Sequence, residues 1–141
     1  MIVYLDPSAM VKLYVQETSS TELQHWVEEA QVIATSRIAY AEARAALARK
    51  FREQELAVKE YRSVVEDLDE DWENYFIVDV SESLVKLAGL LSEKHALRGL
   101  DAIHLASGVV LRRQARRDVA FSCFDDRLIS AARREGLRIP H

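Results

Sequence analysis

Short unbroken apolar runs alternate along this chain with stretches whose apolar residues recur every three or four positions. Ile2-Val3-Tyr4-Leu5 is the first run, rich in β-branched and aromatic residues, and it ends abruptly at Asp6. Such a run reads as a strand buried on both faces, the pattern of a parallel sheet. Pro7 and Ser8 open a helical pattern to about Glu17, with Met10, Val11, Leu13 and Tyr14 on its apolar side. Ser19 and Glu22 stand at capping-box spacing ahead of a helix carrying Leu23, Trp26, Val27 and Ala30. Val32-Ile33-Ala34-Thr35 is a second short strand. An alanine-rich helix from about Ile38 to Glu53 and another from Leu56 to Trp72 then form a hairpin, longer than a crossover needs. Tyr75 to Val80 is a third strand and Ser81 to His95 a further helix. Arg98-Gly99 is a turn, and a helix from about Leu100 to Arg113 follows. Val119 to Phe124 is a fourth strand. The last helix runs to Glu135 and stops at a left-handed Gly136, after which Leu137-Arg138-Ile139 is expected to add a short edge strand.

Strands alternating with helices predict an α/β fold of three layers, α/β/α, around a central parallel sheet, with the helical hairpin inserted between strands 2 and 3. With 141 residues and no linker or repeat, residues 1–141 are expected to form a single domain. A chain 49% apolar and 30% charged is neither disordered nor fibrous. The first apolar run is cut at Asp6, so neither a signal peptide nor a membrane span is expected. A lone cysteine, Cys123, fits a reducing, cytoplasmic setting and reads as a buried filler.

The carboxylates change the picture. Asp6 and Asp125 each follow a buried strand, Glu42 lies in the first turns of the helix after the second strand, and Asp101 lies in the first turn after Gly99. In a doubly wound sheet all four points face the carboxyl-end edge, where such folds bind ligands. Asp6 alone also reads as an ordinary helix N-cap with Pro7 at the first helical position. Four acids on one edge repel one another unless cations lie between them. Hard divalent ions take oxygen ligands, and a pair of them can clamp the attacking and leaving oxygens of a phosphodiester.

The net charge of −4 is unevenly spread: residues 1–97 hold 10 Lys/Arg against 18 Asp/Glu, and residues 98–141 hold 9 against 5. Arg37, Arg98 and Arg127 stand in turns at the acidic edge and are the candidate phosphate ligands. Arg112, Arg113, Arg116 and Arg117 lie toward the opposite edge. Arg112 is about 17 Å along its helix from Asp101, where cations complement a helix carboxyl end.

Asp6-Pro7-Ser8-Ala9, Ala39-Tyr40-Ala41-Glu42-Ala43, Arg98-Gly99-Leu100-Asp101-Ala102-Ile103-His104-Leu105-Ala106 and Phe124-Asp125-Asp126-Arg127-Leu128 together resemble the PIN-domain ribonucleases, in particular the VapC toxins of toxin–antitoxin pairs. The resemblance spans almost the whole chain. It implies a PIN-like fold with Asp6, Glu42, Asp101 and Asp125 as catalytic, metal-holding acids and Ser8 as a hydroxyl supporting Asp6. It implies a Mg2+- or Mn2+-dependent endoribonuclease, a VapB-type antitoxin partner, an RNA substrate and a homodimer. Pro7 stands where a hydroxyl residue is common in the family, and so does Cys123.

Several residues keep a plainer reading. His104, one turn beyond Asp101, is expected to be a packed, hydrogen-bonded histidine rather than a ligand. Asp126 is either a supporting acid or a helix N-terminal residue. Glu66 to Glu73 is expected to be a solvated helix end. His25, His95 and His141 carry no usable spacing. A haloacid-type phosphoryl-transfer domain needs an Asp at position 8, which is Ser, and a receiver domain needs paired acids after the first strand. The remaining alternative is a non-catalytic or non-toxin PIN-like nucleic-acid-binding module.

Overall fold

The apolar runs pair as one parallel sheet. The computed structural model describes residues 1–140, and His141 lies outside the described residues. In chain order the elements are β1 (Ile2–Leu5), α1 (Pro7–Tyr14), α2 (Ser20–Glu29), β2 (Val32–Ser36), α3 (Ala39–Arg52), α4 (Val58–Trp72), β3 (Phe76–Val78), α5 (Glu82–His95), α6 (Gly99–Ala115), β4 (Val119–Ser122) and α7 (Asp126–Arg134). The four-stranded sheet has the order β3-β2-β1-β4. Ile2 pairs with Val32 on one side and Val119 on the other, and Leu5 with Ser122. The chain steps outward from β1 to β2 to β3 and then crosses back to place β4 on the other side of β1. The strand order therefore reverses between β1 and β4, where open parallel sheets leave a crevice at their carboxyl ends.

Alternation along the strands divides the core. Ile2, Tyr4, Val119 and Phe121 point to the layer built by α5, α6 and α7, packing with Leu84, Leu91, Leu105 and Leu128. Val3, Leu5 and Ala120 point the other way, against Ala9 of α1 and Leu23 of α2. A third cluster, Met10, Val11, Ala43, Leu47 and Leu68, joins α1 to the α3–α4 hairpin. The hairpin thus packs on a helix rather than on a face of the sheet. No helix among the described residues is long and apolar enough to cross a membrane.

Local chemistry accounts for the element ends that differ from the sequence reading. The first helix stops at Tyr14 rather than near Glu17, because the Ser20 hydroxyl donates to the carbonyl oxygens of Lys12 and Val15 while accepting from the Glu17 N–H. The expected Ser19–Glu22 capping box does not form: Ser19 adopts a left-handed backbone with φ 72° and its side chain caps nothing. The third strand is shorter than expected, and the fourth ends at Ser122, level with the end of β1. Gly136 is left-handed as expected, with φ 83°. Beyond it, a single parallel bridge pairs Arg138 with Ala120 in place of a full edge strand.

Gly108 lets α6 approach the sheet closely. A Cβ there would lie 2.8 Å from the Phe121 ring and 3.1 Å from Leu137. Gly108→Val should therefore destabilise the fold by about 1–3 kcal/mol through overpacking. The check is a shift of the urea midpoint with an unchanged slope.

Candidate active site

Asp6 is placed by two features of its own sequence. The ladder to β4 continues one step past β1, the Asp6 N–H donating to the Ser122 carbonyl at 3.1 Å. Pro7 then begins α1, so the carboxylate becomes the N-cap, its Oδ1 accepting from the Ala9 N–H at 2.9 Å and from the Ser8 hydroxyl at 2.7 Å. The cap reading is therefore correct, and the cap places the same carboxylate at the carboxyl-end edge of the sheet. Ser8 supports the acid directly. Asp6 is only 5% exposed.

The other three acids arrive from separate elements. Glu42 and Asp101 lie in the first turns of α3 and α6. Asp125 is the N-cap of α7, accepting from the Leu128 N–H at 3.0 Å. Glu42, Arg98 and Asp101 line a cleft of about 690 Å³, whose remaining walls are the apolar or small residues Val85, Ala88, Gly89 and Ile103 with others of α5 and α6. Asp101, Asp125, Asp126, Arg98 and Arg127 line an adjoining cleft of about 400 Å³. Arg98 and Asp101 belong to both.

The site is electrostatically frustrated. Burial pushes the Asp6 carboxyl above its ordinary range, the Ala9 and Ser8 hydrogen bonds oppose that, and Asp101 adds to it. Burial likewise raises Asp101, with Asp125 and Glu42 adding to the rise and Arg98 opposing it. Cys123 is buried and its thiol is held well up by burial and by Asp6, Asp125 and Asp101, which makes it a filler and no nucleophile. The donors gathered here are carboxylate oxygens, the chemistry hard divalent cations take. Among the described residues, no three His, Cys, Asp or Glu side chains converge as a ready-made cage.

Glu42 is held instead by a histidine. Its Oε1 accepts from His104 Nε2 at 2.7 Å, and His104 Nδ1 lies 2.7 Å from the Tyr4 hydroxyl. His104 is 1% exposed, the packed and hydrogen-bonded residue its position suggested. Nothing in the strand pattern around Tyr4 signals this partnership, which joins residues 100 apart.

The three edge arginines separate. Arg98 lines both clefts and Arg127 the smaller one, with Arg127 also donating to the Ala96 carbonyl at 3.2 Å. Arg37 is at the carboxyl end of β2 but is engaged by Asp79 at 2.8 Å, and it lines neither cleft. Asp126 is the exposed first residue of α7, beside Asp125. Arg112, Arg113, Arg116 and Arg117 surround a separate concavity with Asp118. Arg112 donates to the Gly136 carbonyl and Arg117 to Gln31. The acid run of α4 is more than a solvated end, because Asp69 accepts from Tyr40 and Asp71 from Tyr14. His95, which had no usable spacing, pins α5 to Glu135 at 2.7 Å.

The profile of the PIN domain matches residues 3–134. The chain belongs to the PIN-domain family. Within it, the chain is 34% identical over 142 residues to ribonuclease VapC49 of Mycobacterium tuberculosis (strain ATCC 25618 / H37Rv), covering 98% of this chain and 94% of that protein. It is 30% identical over 139 residues to ribonuclease VapC47 of Mycobacterium tuberculosis (strain CDC 1551 / Oshkosh), covering 96% and 93%. The PIN fold is also that of FitAcB from Neisseria gonorrhoeae, with TM-score 0.68 and 17% identity over 99% of this chain and 96% of that one. VapBC2 from Rickettsia felis, bound to a DNA fragment from its promoter, superposes with TM-score 0.64 and 17% identity over 99% and 97%.

Because the folded-state pKa of Asp6 lies above its unfolded value, its charge opposes folding at neutral pH. That penalty is full above the raised pKa and vanishes as pH falls through it toward the ordinary value of 3.8. Asp6→Asn, which keeps the cap, should therefore be more stable than wild type at pH 7 in chelator. Its advantage should shrink steadily as pH falls toward the ordinary carboxylate range. Urea midpoints across a pH series check this.

Proposed function

We propose that this PIN domain is a VapC-type toxin: an endoribonuclease that hydrolyses RNA phosphodiester bonds with Mg2+ or Mn2+ held by Asp6, Glu42, Asp101 and Asp125. The observation that carries this reading is that Asp6, Asp101 and Asp125 all begin helices at the carboxyl-end edge where the strand order reverses, with Asp101 near enough to act on the charge of each of the others. There, burial and mutual repulsion raise the carboxyls of Asp6 and Asp101, with His104 and Arg98 opposing the rise at Asp101. Carboxylates crowded on one edge favour a hard cation between them, and near-full-length relatives named as ribonucleases support RNA as the substrate. A divalent ion bound here supplies Lewis acidity, lowering the pKa of water and neutralising charge that develops on the phosphate.

The chain's own residues do the rest. Ser8 and the Ala9 N–H hold Asp6 in one orientation, so the acid is positioned before any ligand arrives. Arg98, exposed at the mouth of both clefts, is placed to take a phosphate oxygen, and Arg127 serves the Asp125 side. A water nucleophile leaves the 2′-hydroxyl of RNA without a chemical part, and departure of the 3′-oxygen as it takes up a proton gives a 5′-phosphate and a 3′-hydroxyl. A VapB-type antitoxin as partner is supported by the toxin–antitoxin complex from Klebsiella pneumoniae, which shares the fold with TM-score 0.65. A homodimer belongs to the same reading.

RNA cleavage should be absent in chelator and return with Mg2+ or Mn2+. Asp6→Asn should abolish both cleavage and growth arrest while remaining folded. Cleavage at the wild-type rate by Asp6→Asn, or in chelator, would reduce the chain to a binding module. The arginines provide an independent test, read as binding of single-stranded RNA to the Asp6→Asn protein across a salt series. Arg98→Ala should weaken binding and flatten the logarithmic salt dependence by about 0.7, one phosphate's share. Arg116→Ala, about 22 Å along α6 from Asp101, should change both much less. Equal slopes for the two variants would put the substrate on the wrong surface.

A further inference from the structure

Glu42 is the acid whose position the sheet controls least. Asp6 and Asp125 cap helices directly after adjacent strands, and Asp101 begins the helix packed on the sheet. Glu42 sits on α3, half of a hairpin that packs against α1 through its own cluster. One side-chain hydrogen bond references Glu42 to the rest of the site, and it comes from His104. That histidine is three residues beyond Asp101 on α6, so the two share a helix face. The bond to His104 therefore fixes Glu42 relative to the same helix that presents Asp101.

The direction of the hydrogen bonds follows from what each group can do. An ionised carboxylate only accepts, so His104 Nε2 carries the proton that Glu42 Oε1 receives. Nδ1 then accepts from the Tyr4 hydroxyl, whose other side faces Ser107 and the Ser36 backbone. Both ring nitrogens are committed, which removes His104 as a cation ligand in this arrangement. The Tyr4 ring has no room to drift, being fully buried and stacked on Phe121 with centroids 5.0 Å apart and planes 4° from parallel. The rail runs from the centre of the sheet, through α6, to α3. A carboxylate offers about four lone-pair sites, so engaging Oε1 leaves capacity for a hard cation.

We propose that Tyr4 and His104 form a hydrogen-bonded rail that orients Glu42 toward a divalent cation, with His104 a positioning residue and not a ligand. This rests on the metal-dependent reading above. Outer hydrogen-bond partners of ligating groups are worth roughly 10–100-fold in metal affinity, and the rail should fall in that range.

The test is Mn2+ binding to the full chain, measured by calorimetry with folding checked by circular dichroism. His104→Leu should weaken Mn2+ binding by about 10–100-fold. His104→Gln, whose amide N–H can still donate to Glu42, should recover most of the loss, and Tyr4→Phe should give a smaller one. In a Glu42→Gln background, His104→Leu should have no further effect, because the rail acts only through that carboxylate. Unchanged affinity in folded His104→Leu, or an equal further loss in the Glu42→Gln background, overturns the proposal. Should His104→Leu fail to fold, Tyr4→Phe and His104→Gln decide: wild-type affinity in Tyr4→Phe, or a loss of about 10–100-fold in folded His104→Gln, overturns it as well. A wild-type protein that binds no Mn2+ at millimolar ion overturns the metal-dependent reading itself, and the rail with it.

Discussion

A carboxylate only 5% exposed, with two more acids near it, is a costly thing to place at the centre of a fold. Asp6 is tolerated there because two of its obligations are met locally. The start of α1 supplies a backbone N–H, and Ser8 supplies a hydroxyl two residues away. The remaining conflict is between acids, and it is concentrated where the strand order reverses. The rest of the site holds these like charges in place: strands behind, helix N-termini beneath, and Arg98 and Arg127 at the mouths of the clefts.

The three apolar clusters divide the labour of holding these acids in place. The cluster under α5, α6 and α7 fixes Asp101 and the base of Asp125, and close contact at Gly108 leaves α6 little freedom to slide. The cluster beneath α1 and α2 seats Asp6. The third makes the α3–α4 hairpin a satellite of α1. Glu42 is carried by this satellite, so its link to Tyr4 and His104 does for one acid what strand pairing does for the others.

Much of this was legible in the sequence, because strand runs, helical spacing and acids at strand ends are local signals. Asp6, Glu42, Asp101 and Asp125 could all be read onto one edge from topology alone, and His104 was rightly taken as packed. Other features were hidden because they depend on pairs far apart in the chain. The Ser19–Glu22 spacing promised a capping box, yet Ser20 was drawn instead to the free carbonyls at the end of α1, and tertiary context won. Arg37 sits at the right edge of the sheet but is neutralised by Asp79, whose proximity only the β2–β3 pairing creates. The tyrosine partners of Asp69 and Asp71 lie on α3 and α1, out of reach of any reading of the α4 acid run.

The pairing of β1 with β4 also has a consequence for synthesis. Asp6 is translated well before Asp125, and the register Leu5–Ser122 is what aligns the strands that lead into them. A ribosome-bound chain that has not yet released β4 possesses the first carboxylate but lacks the strand against which it is aligned. With domains folding as units during translation at roughly 5–20 residues per second, the site can assemble only after β4 has emerged. A chain halted before β4 therefore carries Asp6 without the partner strand that completes the candidate site.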